Sequence, residues 1–349
     1  MQKKRPTISD VAKLSECSPS TVSLVINNRG YVSPAVRKRV LKVIEDLSYH
    51  PSRSARGLAS QTSGNLGFIL SDDHFSQAEP FYTRIFLGTE FEARNHSYYI
   101  LLTTVGSTFN KAKDAPRFLL ERNVDGVVLA GKLNAQLIDY IDALGIPIVL
   151  VDYVSPKRKH SSVLIDNLSG AHLAVAHLIA CGRKEIAFIG GDINHPSIAE
   201  RYVGFQEAFR ERSLTFDKSL VCIDEPALRG IDGANAIKQI LDRGRNPDGV
   251  FAANDAMAIG CIHYLRQHGI SVPDAVAVVG FDDIDMSSHI ETPLTTVRVF
   301  KEEMGRLAVL RLVEMIKQRT SHVVTTHVPV ELIVRKSTAD AREPSVVNQ

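Results

Sequence analysis

The stretch from Thr7 to Asn27 reads TISDVAKLSECSPSTVSLVIN and contains two short helical patterns separated by a turn. Thr7 stands where a helix cap is expected, and Asp10 follows three residues later in a weak form of the capping box. Ser18 and Pro19 begin the second pattern, because proline at the first helical position loses no hydrogen bond. Two such helices joined by a short turn form a helix-turn-helix.

Outward from this stretch, residues 34–48 continue at helical spacing as a third helix. The segment 49–59 is too short to be a stable helix in isolation, but its Arg53 and Arg56 share one face. If DNA orders this segment, Leu58 is placed to wedge into a minor-groove step. We therefore expect a DNA-binding domain over residues 1–48 and a hinge helix with linker over residues 49–63.

The second helix of a helix-turn-helix enters the major groove with its N-terminal end first. Exposed residues near that end are therefore candidates for base and phosphate contacts, and the capping, turn and hinge residues extend the set. The predicted DNA-binding residues are Thr7, Ser18, Pro19, Ser20, Thr21, Ser23, Leu24, Asn27, Tyr49, Arg53, Arg56 and Leu58.

The charge distribution supports this interpretation. Residues 1–62 contain eleven basic and four acidic side chains, a net +7, so the other 287 residues carry −5 of the overall +2. A basic head on a mildly acidic body is typical of a polyanion-binding module attached to a part that does not bind DNA. The same charges would also fit a solvated positive face.

The bulk composition excludes several other classes. Hydrophobic residues make up 44% and charged residues 23%, as in ordinary globular proteins. The four cysteines form no CxxC pair and have no histidine at metal-ligand spacing, so we expect reduced thiols, no metal and no cofactor. No secretory signal and no apolar run of membrane-spanning length is present, which predicts a cytoplasmic protein without membrane contact.

After residue 64, short β-branched or aliphatic runs alternate with helical stretches. This alternation predicts parallel sheets covered on both faces, and about ten strands suggest two sheets rather than one. The predicted strands are Leu66–Leu70, Tyr98–Thr103, Gly126–Ala130, Ile148–Val151, Val163–Ile165, Ile186–Ile189, Gly249–Ala252 and Val276–Val279.

The quoted head and the following VSPAVRKRVLKVIEDLSYHPSRSARGLA resemble the lactose-repressor (LacI/GalR) family of bacterial transcription regulators, and the similarity extends along nearly the whole chain. By this resemblance, Pro19 and Ser20 lie at base-reading positions and Leu58 is the minor-groove lever. At the position of Leu24, many members of the family carry a longer polar side chain instead of leucine. A leucine offers only apolar contact, so the operator sequence would differ accordingly.

The resemblance implies an α/β fold class, with an N-terminal all-α helix-turn-helix head and a periplasmic-binding-protein-like two-lobed core of parallel sheets. The chain would cross between the lobes near Ile165, Thr292 and Val328. The effector-binding and dimerisation core is expected over residues 64–340, its N-lobe at about 64–165 and 293–327 and its C-lobe at about 166–292 and 328–340.

Ligands of open parallel sheets bind beyond the carboxyl ends of the strands, where this chain repeatedly places Asp or Asn. Each such residue alone is ordinarily a turn or cap residue. The resemblance strengthens the case for Arg201 as a clamp on an anionic or hydroxyl oxygen and for Asp282 as a hydrogen-bond acceptor. The predicted effector-binding residues are Asp72, Phe81, Tyr82, Asp166, Arg201, Leu228, Asn254, Asp255 and Asp282.

These features predict a DNA-binding repressor that binds a pseudo-palindromic operator as a homodimer and responds to a small molecule in the interlobe cleft. A sugar or sugar derivative is the expected effector, although the chain has no Trp and Leu228 stands where relatives place an aromatic residue. A phosphoprotein corepressor and a stand-alone sugar-binding protein are the alternatives. No P-loop, GxSxG, HExxH or GxGxxG motif is present, so no enzymatic activity is expected.

Overall fold

The computed structural model describes residues 6–26, 30–49, 62–72, 81–157, 159–225 and 228–338. The chain divides into two compact units, residues 1–64 and residues 65–349. Each unit has its own buried hydrophobic core, so each is described by itself.

The N-terminal unit, called the head below, packs three helices of its described residues around a small core. Helix α1 spans Ile8–Leu14, α2 spans Pro19–Ile26 and α3 spans Pro34–Asp46. Apolar residues recur at three- and four-residue spacing in each helix, which places them on one face. The buried side chains of this core are Val11, Ala12, Val22, Val25, Val40 and Tyr49.

Side-chain caps begin the first two helices. The Thr7 hydroxyl accepts the backbone N–H of Asp10, while the Asp10 carboxylate accepts the backbone N–H of Thr7 at 2.8 Å. The Ser18 hydroxyl accepts the backbone N–H of Thr21 at 3.1 Å. These caps satisfy N–H groups that no helix can bond internally, and so they determine where α1 and α2 begin.

The second unit, called the core below, contains two six-stranded sheets. Strands with both faces covered read as continuous apolar runs, and β1, β3 and β4 are buried at every position. The strands are β1 (Asn65–Ser71), β2 (Tyr99–Val105), β3 (Gly126–Ala130), β4 (Ile148–Val151), β5 (Ser161–Ile165), β6 (Ile186–Gly191), β7 (Val221–Glu225), β8 (Gly249–Ala252), β9 (Ala277–Asp282), β10 (Thr295–Val299), β11 (Thr325–Val328) and β12 (Val330–Ile333).

Ten α-helices of the described core connect and cover these strands. They are α4 (Phe81–Asn95), α5 (Lys111–Asp114), α6 (Arg117–Leu120), α7 (Ala135–Ala143), α8 (Asn167–Ala180), α9 (Pro196–Glu211), α10 (Gly230–Asp242), α11 (Asp255–Gln267), α12 (Met286–His289) and α13 (Lys301–Gln318). Helices α4 and α13 cross with their backbones in contact at Gly88. A Cβ atom at this position would lie 1.9 Å from the carbonyl oxygen of Glu302, so only glycine allows the close approach.

The first sheet has the strand order β11-β5-β4-β3-β1-β2 and is parallel throughout. The second has the order β12-β10-β9-β8-β6-β7 and is parallel except for β12, which pairs antiparallel with β10. The first sheet with its helices is the N-lobe and the second is the C-lobe. Two lobes of parallel sheet confirm the predicted fold class.

The chain crosses between the lobes three times. It leaves the N-lobe at Asp166 after β5, returns at Phe300 between β10 and α13, and leaves again at Pro329 between β11 and β12. The second crossing was expected near Thr292. It comes about eight residues later, because β10 pairs with β9 and β12 and therefore belongs to the C-lobe sheet.

Candidate functional site

The first turn of α2 forms an exposed surface on the head. Pro19 and Ser20 are exposed, Thr21 and Ser23 are half-buried, and Leu24 keeps 37% of its surface exposed. The opposite face of α2 packs into the head core. The N-terminal end of this helix is therefore the part that can approach a base edge, as a helix-turn-helix requires.

Tyr49 does not share this exposure. It is only 5% exposed and packs in the head core. We correct the expectation that its side chain faces DNA, because a ring buried in this way stabilises the head instead. Thr7 is exposed and caps α1. The predicted DNA contacts Asn27, Arg53, Arg56 and Leu58 lie outside the described residues.

Basic side chains on α3 add positive charge to the head. Lys38, Arg39 and Lys42 are exposed on this helix. The Arg39 Nε donates to the backbone carbonyl of Ser15 at 2.7 Å, which ties α3 to the end of α1. Exposed lysines and arginines of this kind supply the salt-dependent part of DNA affinity.

In the core, Arg201 is the centre of a buried polar cluster. Arg201 is only 5% exposed. Its Nε donates to Asn167 Oδ1 at 2.9 Å, and its Nη1 donates to the backbone carbonyl of Ala253. Its Nη2 lies 3.5 Å from Asp282 Oδ1. The guanidinium covers the Phe281 ring with 3.7 Å between its Cζ and the ring centroid.

Asp282 combines burial with an open acceptor. It ends β9 at a φ of +110°, and its Oδ1 is buried without a hydrogen bond within the described residues. Burial raises the pKa of this carboxyl to about 6, while Arg201 and Lys301 lower it and Asp152 raises it further. A buried acceptor in need of a donor is the feature that a ligand hydroxyl or N–H would satisfy.

Hydroxyl groups from both lobes converge on Asp152, which follows β4. Tyr82 donates its hydroxyl to Asp152 Oδ2 at 2.9 Å within the N-lobe. Ser197, in the first turn of α9 of the C-lobe, donates to Asp152 Oδ1 at 3.1 Å. Burial, together with Asp152, raises the pKa of Tyr82 well above its usual value. Side chains of both lobes therefore meet in one buried cleft.

Asp255 has a structural role, which corrects its assignment as an effector ligand. It is fully buried, and its carboxylate accepts the N–H of Ile284 at 2.9 Å and the hydroxyl of Ser287 at 2.6 Å. The hydroxyl of Thr296 donates to its other oxygen. Burial raises the pKa of Asp255 to about 7, and these three donors act against that rise. The side chain joins α11 to the loop after β9.

Two other predicted effector residues serve as helix caps. Asp166 Oδ1 accepts the N–H of Ser169 at 3.1 Å and caps α8. Asn254 Oδ1 accepts the N–H of Met257 at 2.8 Å and caps α11, while its Nδ2 donates to the carbonyl of Leu228 at 2.8 Å. Asn254 Oδ1 and one of the two carboxylate oxygens of Asp166 thus already accept hydrogen bonds from local backbone.

The remaining predicted effector residues differ in exposure. Leu228 is half-buried and packs against the apolar cores of the C-lobe. Phe81 is half-buried beside Lys301, whose Nζ lies 5.9 Å from its ring centroid. Asp72 is exposed after β1. The structure therefore brings together Arg201, Asp282 and Tyr82, and Phe81 adjoins this group because its ring centroid lies 5.1 Å from that of Tyr82.

Besides Asn167, which accepts a hydrogen bond from Arg201, the sequence-based selection omitted four residues of this cleft. Asp152 follows a strand as the chosen acids do, so the same rule could have found it. Ser197, His195 and Lys301 carry no such signal, because none of them is an Asp or Asn directly after a strand; they lie at the starts of α9 and α13. His195 Nδ1 is buried without a hydrogen bond in the described part of the chain. Burial lowers the pKa of His195, and Asp152 acts against this shift.

A helix-turn-helix head joined in sequence to a two-lobed core with a buried polar cleft defines a ligand-responsive DNA-binding regulator. Residues 7–52 match the model of bacterial regulatory proteins of the lacI family, and residues 175–338 match that of the periplasmic binding protein-like domain. The HTH-type transcriptional repressor PurR of Aliivibrio fischeri is 32% identical over 339 residues, covering 96% of this chain and 98% of the relative. The chain therefore belongs to the LacI family of DNA-binding transcriptional repressors.

Solved structures agree with this assignment. The lac repressor dimer bound to operator and the anti-inducer ONPF has a TM-score of 0.80 and 26% identity, over 96% of this chain and 99% of that one. The complex of the transcriptional regulator CelR with cellobiose has a TM-score of 0.72 and 32% identity. The match covers 95% of this chain and 100% of the CelR chain. The family, fold and repressor class predicted from the sequence are confirmed.

Proposed function

We propose that this repressor binds a pseudo-palindromic operator as a homodimer and that a small molecule in the interlobe cleft changes its operator affinity. The observation that carries the proposal is the exposed first turn of α2 on a folded helix-turn-helix, with Pro19 and Ser20 turned to solvent. A two-fold axis through the dimer would set the half-site spacing, since operator symmetry follows protein symmetry.

An apolar surface of the N-lobe supports the homodimer. Leu87 and Phe91 on α4 are 37% and 55% exposed, and Tyr99 and Leu102 on the edge strand β2 are 63% and 39% exposed. An edge strand beside exposed apolar side chains invites pairing with another chain. The related lac repressor structure is a dimer on its operator, and we propose this surface as part of the equivalent interface.

We propose a sugar or sugar derivative as the effector. The open acceptor Asp282 Oδ1 and the hydroxyl-rich pair Tyr82 and Ser197 suit a ligand with several hydroxyl groups. CelR is solved with cellobiose. A LacI family regulator from Enterococcus faecium, 25% identical with a TM-score of 0.68, is solved with bound ribose.

The proposed mechanism is a population shift between two arrangements of the lobes. The head would occupy residues 1–48 and the hinge residues 49–63, with Arg53, Arg56 and Leu58 contacting DNA when the hinge is ordered. Effector binding would rotate the N-lobes and so favour or disfavour hinge folding. A coupling free energy of about 1–3 kcal/mol would change operator affinity roughly 5- to 150-fold. We further propose that the chain acts in the cytoplasm and catalyses no reaction, since its relatives are transcriptional repressors.

This function can be tested by selecting duplexes from a randomised pool with the full chain. The expected result is enrichment of a two-fold-related sequence whose binding changes when one sugar of a metabolite panel is added. Ser20→Ala should alter the enriched half-site, while Glu45→Gln, at an exposed position of α3, should not. Failure to enrich any duplex, with the chain folded, would contradict the proposal.

A further inference from the structure

Both buried cations of the cleft are engaged by oxygens of the protein itself. Arg201 donates to Asn167 and to the carbonyl of Ala253, pairs with Asp282, and has one face covered by Phe281. The expectation that Arg201 clamps an anionic or hydroxyl oxygen of the ligand stays a prediction, but the donors just named already bond oxygens of the protein. A guanidinium held in this way presents little of its hydrogen-bonding edge to a ligand phosphate.

Lys301 is occupied in the same manner. Lys301 is only 7% exposed, and its Nζ donates to the backbone carbonyl of Asp282 and, at 3.3 Å, to the backbone carbonyl of Asp283. The lysine thus joins the start of α13 to the end of β9. In the described cleft, both buried cations therefore donate hydrogen bonds to oxygens of the protein.

Among the described residues around the cleft, carboxylates outnumber these two buried cations. Asp152 and Asp282 are both less than 10% exposed, and Glu200 Oε2 accepts the Asn167 side chain at 3.0 Å beside Arg201. His195 adds little positive charge at neutral pH, because burial lowers its pKa. At the rim, the exposed Lys132 is offset by the exposed Asp192, which it influences electrostatically.

This charge balance bears on the class of ligand. A phosphate dianion brought into a buried site loses its hydration, and it needs charged donors in return. Here it would meet two buried carboxylates and two cations already bonded elsewhere. An uncharged hydroxyl, in contrast, can donate to Asp282 Oδ1 without that cost.

We propose that the cleft selects an uncharged, hydroxyl-rich ligand and rejects its phosphorylated counterpart, with Asp152 and Asp282 as the residues that determine this choice. The inference rests on the proposed function and narrows its effector class. On this inference, the negative charges of Asp152 and Asp282 repel a ligand phosphate, whether or not either residue also hydrogen-bonds the ligand.

The test is isothermal titration of the full chain with matched pairs: ribose and ribose 5-phosphate, glucose and glucose 6-phosphate, cellobiose and its phosphate, adenosine and AMP. At least one neutral member should bind, and its phosphorylated partner should bind weaker by on the order of 100-fold. Equal or tighter binding of a phosphorylated member would overturn the inference but leave the proposed repressor function intact. Binding of none would count against the inference and the proposed sugar-like effector, while operator binding would still stand.

Substitutions can test whether the negative charge of the two acids, rather than the shape of their side chains, disfavours phosphorylated ligands. Asp152→Asn keeps the size of the side chain and removes one negative charge. The difference in affinity between a neutral ligand and its phosphorylated counterpart, called the affinity gap below, should therefore narrow by about tenfold or more. Asp282→Asn is the second variant, to be used where Asp152→Asn lowers the melting temperature. Asp242→Asn, on the surface of α10 and paired with Lys238, is the control and should leave the gap unchanged. An unchanged gap in folded Asp152→Asn and Asp282→Asn proteins would refute a charge-based selection.

Discussion

The head and the cleft present their functional residues in opposite ways. On the head, Pro19 and Ser20 are exposed and belong to one helical turn. In the cleft, Arg201, Asp282 and Asp152 are buried and come from three distant segments. The proposed DNA contacts therefore rest on surface charge and local helix geometry. The proposed ligand contacts rest on desolvated groups that only the complete fold brings together.

Deleting residues 1–62 would separate the two regions most completely. We expect operator binding to be lost entirely, while the remaining core still shows an effector-induced rise in melting temperature, because it has its own hydrophobic cores. Gel shift and thermal shift on the same preparation measure both. A truncated chain that neither folds nor dimerises would show that head and core are not modular.

Within the core, substitution by alanine should affect mainly stability at Asp255 and mainly the effector response at Asp282. Asp255→Ala leaves Ile284, Ser287 and Thr296 without their acceptor, so the free energy of unfolding should fall by about 2–4 kcal/mol. Asp282→Ala should cost less, about 1–2 kcal/mol, because burial already disfavours the Asp282 charge and Arg201 keeps its hydrogen bonds to Asn167 and Ala253.

Urea denaturation and effector titration distinguish the two variants. Asp282→Ala should retain operator binding and lose the effector response. If this variant still responds to effector, the placement of the ligand beside Asp282 is wrong.

In the head, Tyr49 and Ser20 make a similar contrast. Tyr49→Ala should destabilise the head by about 3 kcal/mol, because it removes a buried ring from the core. Ser20→Ala should leave the melting temperature unchanged and weaken specific binding by about 1–3 kcal/mol if the hydroxyl reads a base. A normal melting temperature for Tyr49→Ala would restore the surface role first expected for this residue.

The smallest effect is a pH dependence confined to the cleft. Because the pKa of Asp282 is about 6, its acceptor is ionised above that pH and protonated below it. Effector affinity should therefore be constant above pH 7 and fall by about tenfold per pH unit below pH 6. Asp282→Asn provides the control, since any residual binding should lose this dependence. A flat profile in the unsubstituted chain would contradict the role of the carboxylate.

The sequence predicted the head well because its signals are local. The caps at Thr7 and Ser18 and the proline at position 19 lie within a few residues of the helices that they begin. Tyr49 was misjudged for the converse reason: its burial depends on packing against α1, α2 and α3.

The cleft was predicted only in part. The rule that polar residues follow parallel strands found Asp282, but it also selected Asp255, which accepts three hydrogen bonds from the protein. It could not find Ser197, whose contact with Asp152 joins residues 45 positions apart in different lobes. Contacts between lobes depend on how two sheets meet, and no local pattern encodes that arrangement.

The most direct test of the account is the salt dependence of operator binding, measured by fluorescence anisotropy with the full chain. We predict a specific duplex whose affinity falls by about a thousandfold or more between roughly 50 and 200 mM salt, as expected when several phosphates are neutralised. The bound sugar should shift this curve while leaving its slope nearly unchanged. A folded chain with no salt-sensitive preference for any duplex, with or without metabolites, would contradict the claim that the head grips DNA.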